Sequence, residues 1–227
     1  MGRDDYNQPS VRGTPHGLGS FGVTTEKKGV WGEFVSFLTT LGTILGIAVV
    51  LRVCVIEPFK IPSGSMIPTL QVGDYILVVK FWYGFRLPFV TDSVVTWSDP
   101  KRGDVVVFTR PDEARTPDED ESAIHIIKRV VGLAGDTLEV RGAQVLINGE
   151  PLQESYSQWV EGGSFEGNFG PAVVPPGKIL LLGDNRDQSK DSRFWSDPFL
   201  DVRRVKGKAV LIFWSWDSLS RIGTVIR

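Results

Sequence analysis

Eighteen consecutive residues, Phe34 to Leu51, carry no charged side chain, and this run constrains the chain more than any other feature. As a helix rising 1.5 Å per residue it is about 27 Å long, close to the roughly 30 Å hydrocarbon thickness of a bilayer. Arg52 interrupts it and Val53 to Ile56 resume it; an arginine near the end of a span can reach the headgroups. A buried core helix is one competing reading, but apolar residues occupy every face of the run. A cleaved export signal is another, yet the run is too long and Glu57-Pro58 stands where a small-residue cleavage site belongs. The expectation is one uncleaved transmembrane anchor over residues 31–57. It follows a polar, glycine-rich tail, residues 1–30, that has no sustained apolar period and is expected to be disordered. Lys27 and Lys28 lie at its N-terminal end, so the positive-inside rule places the tail in the cytoplasm and residues 58–227 outside. Arg52 and Lys60 pull the other way.

Directly after the anchor, Pro58 to Leu70 packs Pro58, Pro62 and Pro68 around Ser63 and Ser65. Each proline fixes φ, removes a backbone donor and biases the preceding residue toward extended geometry, which predicts a stiff, non-helical mount for a hydroxyl. Gly64 lacks a Cβ, so another backbone could approach between the two serines. From Leu70 onward short β-branched runs alternate with turn residues: Tyr75–Val79, Asp104–Phe108, Ile124–Val131, Thr137–Val140, Val145–Ile147, Ile179–Leu182 and Lys208–Trp214. These predict a mainly β fold, an antiparallel domain over 58–227 behind the single N-terminal helix. Pro111 to Ser122 reads as an acidic, solvated loop. Residues 141–178, with a Gly-, Ser- and aromatic-rich stretch from Gln153 to Pro176, read as a small inserted lobe. Phe81–Tyr83 and Phe213–Trp216 are either core or an interfacial aromatic surface.

With net charge −2 and cations spread along the chain, no basic face for nucleic acid is evident. The one cysteine, Cys54, excludes an internal disulfide and a cysteine-cluster metal site, and is expected to be a small buried side chain.

A serine nucleophile needs a base. Two histidines exist; His16 lies in the tail, which leaves His125 for a Ser-His-Asp arrangement. The G-x-S-x-G elbow is absent around Ser65, and S-x-x-K fails there because position 68 is proline. Lys128 is the other candidate. Alternate residues of a strand share a face, so Ile124, Ile126, Lys128 and Val130 point one way and His125 the other. Desolvation among Ile and Val disfavours the charged amine, which fits a general base; a lysine snorkelling from a sheet edge, or paired with a carboxylate, fits the same strand. Gly183 to Arg193 (GDNRDQSKDSR) forms a dense polar loop after the apolar run Ile179–Leu182. Its aspartates lack the order of ligands of an EF-hand, so no metal is expected, and either a solvated turn or a buried ion-pair network is left.

Over residues 31–216 these segments resemble the bacterial type I signal peptidases, Ser/Lys membrane proteases that remove signal peptides from exported proteins. The resemblance rests on the anchor and on five motifs in order: P-S-G-S-M-x-P-T-L, G-D-x-I-L-V-x-K, R-G-D-V-V-V-F, I-K-R-V-V-G-L-x-G-D and G-D-N-R-D-x-S-x-D-S-R-x-W. It implies Ser65 as nucleophile, Lys128 as general base, Ser63 in the oxyanion hole beside the Ser65 N–H, and Ser189 orienting the lysine. Arg129, Asp184, Asp191 and Arg193 would hold the frame. It implies no cofactor and no metal, with the bilayer and exported preproteins bearing signal peptides as partners. Cleavage would follow small residues in an Ala-x-Ala-like pattern, on the outer side of a bacterial cytoplasmic membrane. Gln188 and Ser196 depart from the family pattern, which has Asn and Gly there. A self-cleaving repressor of the SOS-response kind shares the dyad but would need a DNA-binding element where this chain has its apolar run. A catalytically silent β domain that only binds exported chains is the alternative outside the hydrolases.

Overall fold

The computed structural model describes residues 29–50, 52, 55–85, 95–109, 125–159 and 168–227. The expectations for the tail up to residue 28, for Cys54 and for the acidic loop 111–122 fall outside the described residues. The chain divides into two compact units, Met1–Thr43 and Ile44–Arg227.

Helix α1 spans Val30–Val50, with Glu33 in its first turn, where a carboxylate complements the helix dipole. It is long and apolar enough to cross a membrane. Its threonine hydroxyls are satisfied within the helix: Thr39 and Thr40 Oγ1 donate to the Ser36 carbonyl, and Thr43 Oγ1 to that of Thr39. These three hydroxyls therefore need no water as donors. Ile56 and Glu57, which the apolar run assigns to the anchor, lie instead in the first strand.

Among the described residues the second unit holds thirteen strands: β1 (Ile56–Lys60), β2 (Asp74–Val79), β3 (Gly84–Phe85), β4 (Val95–Thr96), β5 (Val105–Thr109), β6 (His125–Gly132), β7 (Thr137–Arg141), β8 (Gln144–Ile147), β9 (Glu150–Pro151), β10 (Phe169–Val173), β11 (Lys178–Leu182), β12 (Leu200–Asp201) and β13 (Val205–Ser215). Seven of them form the main antiparallel sheet in the order β1-β2-β13-β5-β6-β11-β12. Pro58 is tolerated in β1 because β1 is an edge strand, where a missing N–H breaks no ladder bond. β5 is apolar at four successive positions, and both of its faces are covered. Val105 and Val107 enter one cluster with Ile61, Met66, Ile76 and Ile212; Val106 and Phe108 enter another with Val130, Leu181 and Trp195.

A second sheet, β10-β7-β8-β9, begins at Thr137, so it adds β7 to β8, β9 and β10, which fall within the expected lobe, while Lys178 lies in β11 of the main sheet. Alternation reveals that a segment is a strand, not which neighbour it pairs with. β7 pairs with β8 and β10 rather than with the main sheet. The two sheets share one cluster, in which Val131, Leu180 and Leu182 meet Leu138, Val140 and Val145. Leu180 has no exposed surface there. Leu180→Ala should lower unfolding stability by about 2–5 kcal/mol in a urea titration of the solubilised protein, since it opens a cavity where both sheets are closed.

Candidate active site

Two of the prolines that frame the mount leave only Ser63 to Ile67 between them, and the chain closes a single 3-10 turn there, Gly64–Met66. This corrects the expectation of a wholly non-helical segment: with no proline at 63–67, the Ile67 N–H is free to bond the Gly64 carbonyl at 3.2 Å. The turn presents Ser65, only 8 % exposed, to β6, where Lys128 is 4 % exposed. Lys128 Nζ lies 2.8 Å from Ser65 Oγ and 3.1 Å from the Ile127 carbonyl oxygen. Lys128 stands opposite Val106 in the ladder, between Ile126 and Val130 on its own face. The lysine is therefore withdrawn from water and its amine aimed at the hydroxyl.

The polar loop after β11 packs beneath this pair. Asp184 receives Arg129 Nε at 2.7 Å and Nη2 at 2.6 Å, and the Thr69 hydroxyl at 2.5 Å. Neither side chain of that ion pair has any exposed surface. Arg129 Nη1 donates to the carbonyls of Gly103 and Arg227, and the Tyr156 ring covers its guanidinium at 3.8 Å. Asp191 accepts from the Gly183 N–H and from Arg193 Nε and Nη2. Two of the aspartates that raised the question of a cation are thus each occupied by an arginine. Ser189 Oγ is buried and makes no hydrogen bond among the described residues. It lies against Gly183, where an added methyl group would overlap it and come within 2.5 Å of the Ser65 carbonyl oxygen. The close approach of two backbones expected at Gly64 occurs at Gly183. A Cβ on Gly64 would meet only the side chain of Ile67.

A buried Ser–Lys contact in a β domain, braced by arginine–aspartate pairs, is a geometry that suits a hydrolase. The signal peptidase, peptidase S26, family model matches residues 34–214. The chain belongs to that family. It is 38% identical over 223 aligned residues to signal peptidase I of Pseudomonas aeruginosa, covering 80% of this chain and 76% of that one. It is also 38% identical over 186 residues to signal peptidase I of Leptolyngbya laminosa, covering 82% of each. A crystal structure of a signal peptidase I from Enterococcus faecalis V583 matches 50% of this chain and 98% of that one, at 28% identity and TM-score 0.39. Family membership makes the chain a signal peptidase hydrolase.

Several residues complete the site although the sequence alone assigns them no role. Glu154 takes Arg186 Nη2 at 2.6 Å, both side chains buried, and Gln158 exchanges backbone hydrogen bonds with Asp184 and Arg186. Asn185 bonds the carbonyls of Gly64 and Ser65. The end of the serine segment is fixed by Asp74, which accepts from Arg221 and from the Gln71 N–H while Arg221 also reaches the Thr69 carbonyl. Ser63 is exposed at the start of the turn, in extended conformation, with no capping bond from its side chain. His125 is engaged away from Ser65, by Lys206 Nζ and by the Phe59 ring at 5.5 Å. Burial, and then the charge of Lys206, push its pKa down. Of the aromatic segments, Tyr83 is buried whereas Phe81, Trp82, Trp214 and Trp216 are exposed.

Gly183→Ala should abolish peptidase activity while the protein stays folded by circular dichroism, because the added methyl forces the Ser65 segment and Ser189 apart. Burial pushes the Asp74 carboxyl up, but the Arg221 and Gln71 hydrogen bonds and the guanidinium charge outweigh it and hold the pKa below the ordinary 3.8. Stability from this group is thus present above pH 3.8 and is lost as pH falls through the lower folded value. Asp74→Asn should flatten the acid limb of a stability–pH curve measured by denaturant titration.

Proposed function

We propose that this chain is a membrane-bound endopeptidase that removes N-terminal signal peptides from exported preproteins, with Ser65 as nucleophile and Lys128 as general base. The observation that carries the reading is the buried 2.8 Å contact between Lys128 Nζ and Ser65 Oγ. A neutral amine at that distance can accept the hydroxyl proton as Oγ attacks the scissile carbonyl. The resulting oxyanion is met by the Ser65 N–H and the Ser63 hydroxyl, a kind of donor typically worth about 2.7–4 kcal/mol in the transition state. Protonated Lys128 then donates to the leaving amine, the peptide bond breaks, and Ser65 holds the acyl group. In the second half Lys128 takes a proton from water, hydroxide attacks the ester, and Oγ recovers its proton from the lysine.

Ser189 is the orienting group for the amine in this reading. Its hydroxyl, buried and without a hydrogen bond among the described residues, is available for that bond. The frame is Arg129–Asp184, which ties the loop to β6, and Asp191–Arg193, which braces the loop internally. The substrate lies extended beside the Ser65 turn and β6, where His125 to Lys128 pair only with β5 and leave their other edge open among the described residues. Small side chains such as alanine at the first and third positions before the cut are what the family resemblance implies.

Helix α1 anchors the enzyme with its N-terminus in the cytoplasm and residues 58–227 outside, the orientation that Lys27 and Lys28 favour. Substrate and enzyme then share one bilayer, which raises their effective concentration. The exposed tryptophans suit an interfacial environment.

Cleavage of a model preprotein by the purified full chain tests the reading. Ser65→Ala and Lys128→Ala should each abolish product formation with unchanged thermal stability, whereas His125→Ala should retain most of it. Substantial turnover by either of the first two variants sinks the dyad, and a loss in the His125 variant equal to that of Lys128→Ala would make histidine the base.

A further inference from the structure

One residue of the polar loop grips the serine turn at both peptide planes that flank Ser65. The Asn185 N–H donates to the Ser65 carbonyl at 3.1 Å, and Asn185 Nδ2 donates to the Gly64 carbonyl at 3.1 Å. The second hydrogen on Nδ2 goes to Gln188 Oε1 at 3.3 Å, which fixes the plane of the amide. Asn185 is 4 % exposed, so these bonds form away from bulk water.

The bond to Gly64 bears on the chemistry through the covalent geometry of the chain. The Gly64 carbonyl and the Ser65 N–H belong to one peptide unit, planar and trans, so they point in opposite directions. Whatever holds that carbonyl toward the loop aims the Ser65 N–H away from it, toward the side where an acyl oxygen would sit. The other donor to this oxygen among the described residues is the Ile67 N–H at 3.2 Å, which closes the turn but belongs to the same short segment. Asn185 is the donor that references the plane to the rest of the fold, across 121 residues of sequence. A carbonyl that accepts a second hydrogen bond also polarises its amide, which makes the N–H at the other end a stronger donor.

We propose that Asn185 is a positioning residue of the oxyanion hole, setting the orientation and donor strength of the Ser65 N–H through the Gly64 carbonyl. The proposal rests on the reading of Ser65 as nucleophile. It assigns Gln188 a part as well: a side-chain carbonyl at that position takes the spare amide hydrogen and keeps Asn185 from turning.

The test uses the purified full chain and a model preprotein. Asn185→Ala keeps the backbone bond to Ser65 and loses the side-chain bonds to Gly64 and Gln188. It should lower kcat by about tenfold to a hundredfold, the range seen when a reacting group is misplaced by about an ångström, with KM and thermal midpoint little changed. Asn185→Asp supplies a readout that a purely structural role would not move. An ionised carboxylate cannot donate to the Gly64 carbonyl, but a protonated one can, and burial favours the protonated form while the loop arginines Arg186 and Arg193 oppose it. The ratio of Asn185→Asp to wild-type kcat should therefore rise several-fold between about pH 8 and pH 5.5, while the Asn185→Ala ratio stays flat. Wild-type kcat in Asn185→Ala, or a flat ratio for Asn185→Asp, overturns the proposal. Ser65→Ala run alongside separates the two readings: activity in that variant removes the nucleophile assignment itself, whereas an inactive Ser65→Ala beside a fully active Asn185→Ala removes only the role given to Asn185.

Discussion

The contact between Arg129 and Asp184 is the interaction on which the arrangement of the site depends. A guanidinium and a carboxylate with no exposed surface are held by two bonds, and Thr69, Gly103 and Arg227 complete their hydrogen-bonding capacity. Such a pair adds little stability over an apolar packing of the same volume, because both ions must be desolvated. What it does fix is position. The loop after β11, the end of the serine segment and β6 must all deliver a polar atom to one point, and each is located when the point is satisfied. The Ser65 hydroxyl and the Lys128 amine then meet across two segments that Arg129 and Thr69 also join directly.

Much of this was legible from residue order, and the parts that were not share a physical cause. Seven of the strands stand out as short β-branched runs between turn residues, because a pleated strand buries alternate side chains whatever its partner. Which sheet each strand joins does not follow: Thr137–Arg141 carries the same alternation as the strands of the main sheet and pairs elsewhere. β1 was hidden by its proline and by the apolar run before it, and only its edge position explains it.

At the site, strand alternation separated Lys128 from His125, and the family motifs divided the serines. The contacts of Asn185, Glu154 and Gln158 had no comparable signal. Their bonds go to backbone groups or to a partner more than twenty residues away, and neither leaves a periodic trace. Gly64 and Gly183 illustrate the same limit. Both glycines are plausible places for two chains to touch, but only tertiary placement decides that Gly183 is the one.

The alternation of β6 carries a consequence for how the domain can fail. Lys128 and Arg129 are neighbours in sequence and face opposite sides of the sheet, so one strand serves the Ser65 contact on one side and the buried ion pair on the other. A shift of one residue in its pairing would exchange them, offering a permanently charged guanidinium to Ser65 and a lysine to Asp184. The chain would keep its sheet and lose the base proposed for it. The pairing of β6 with β5, and the register shift at Val131 opposite Leu180 and Leu181, therefore decide which of the two side chains reaches Ser65.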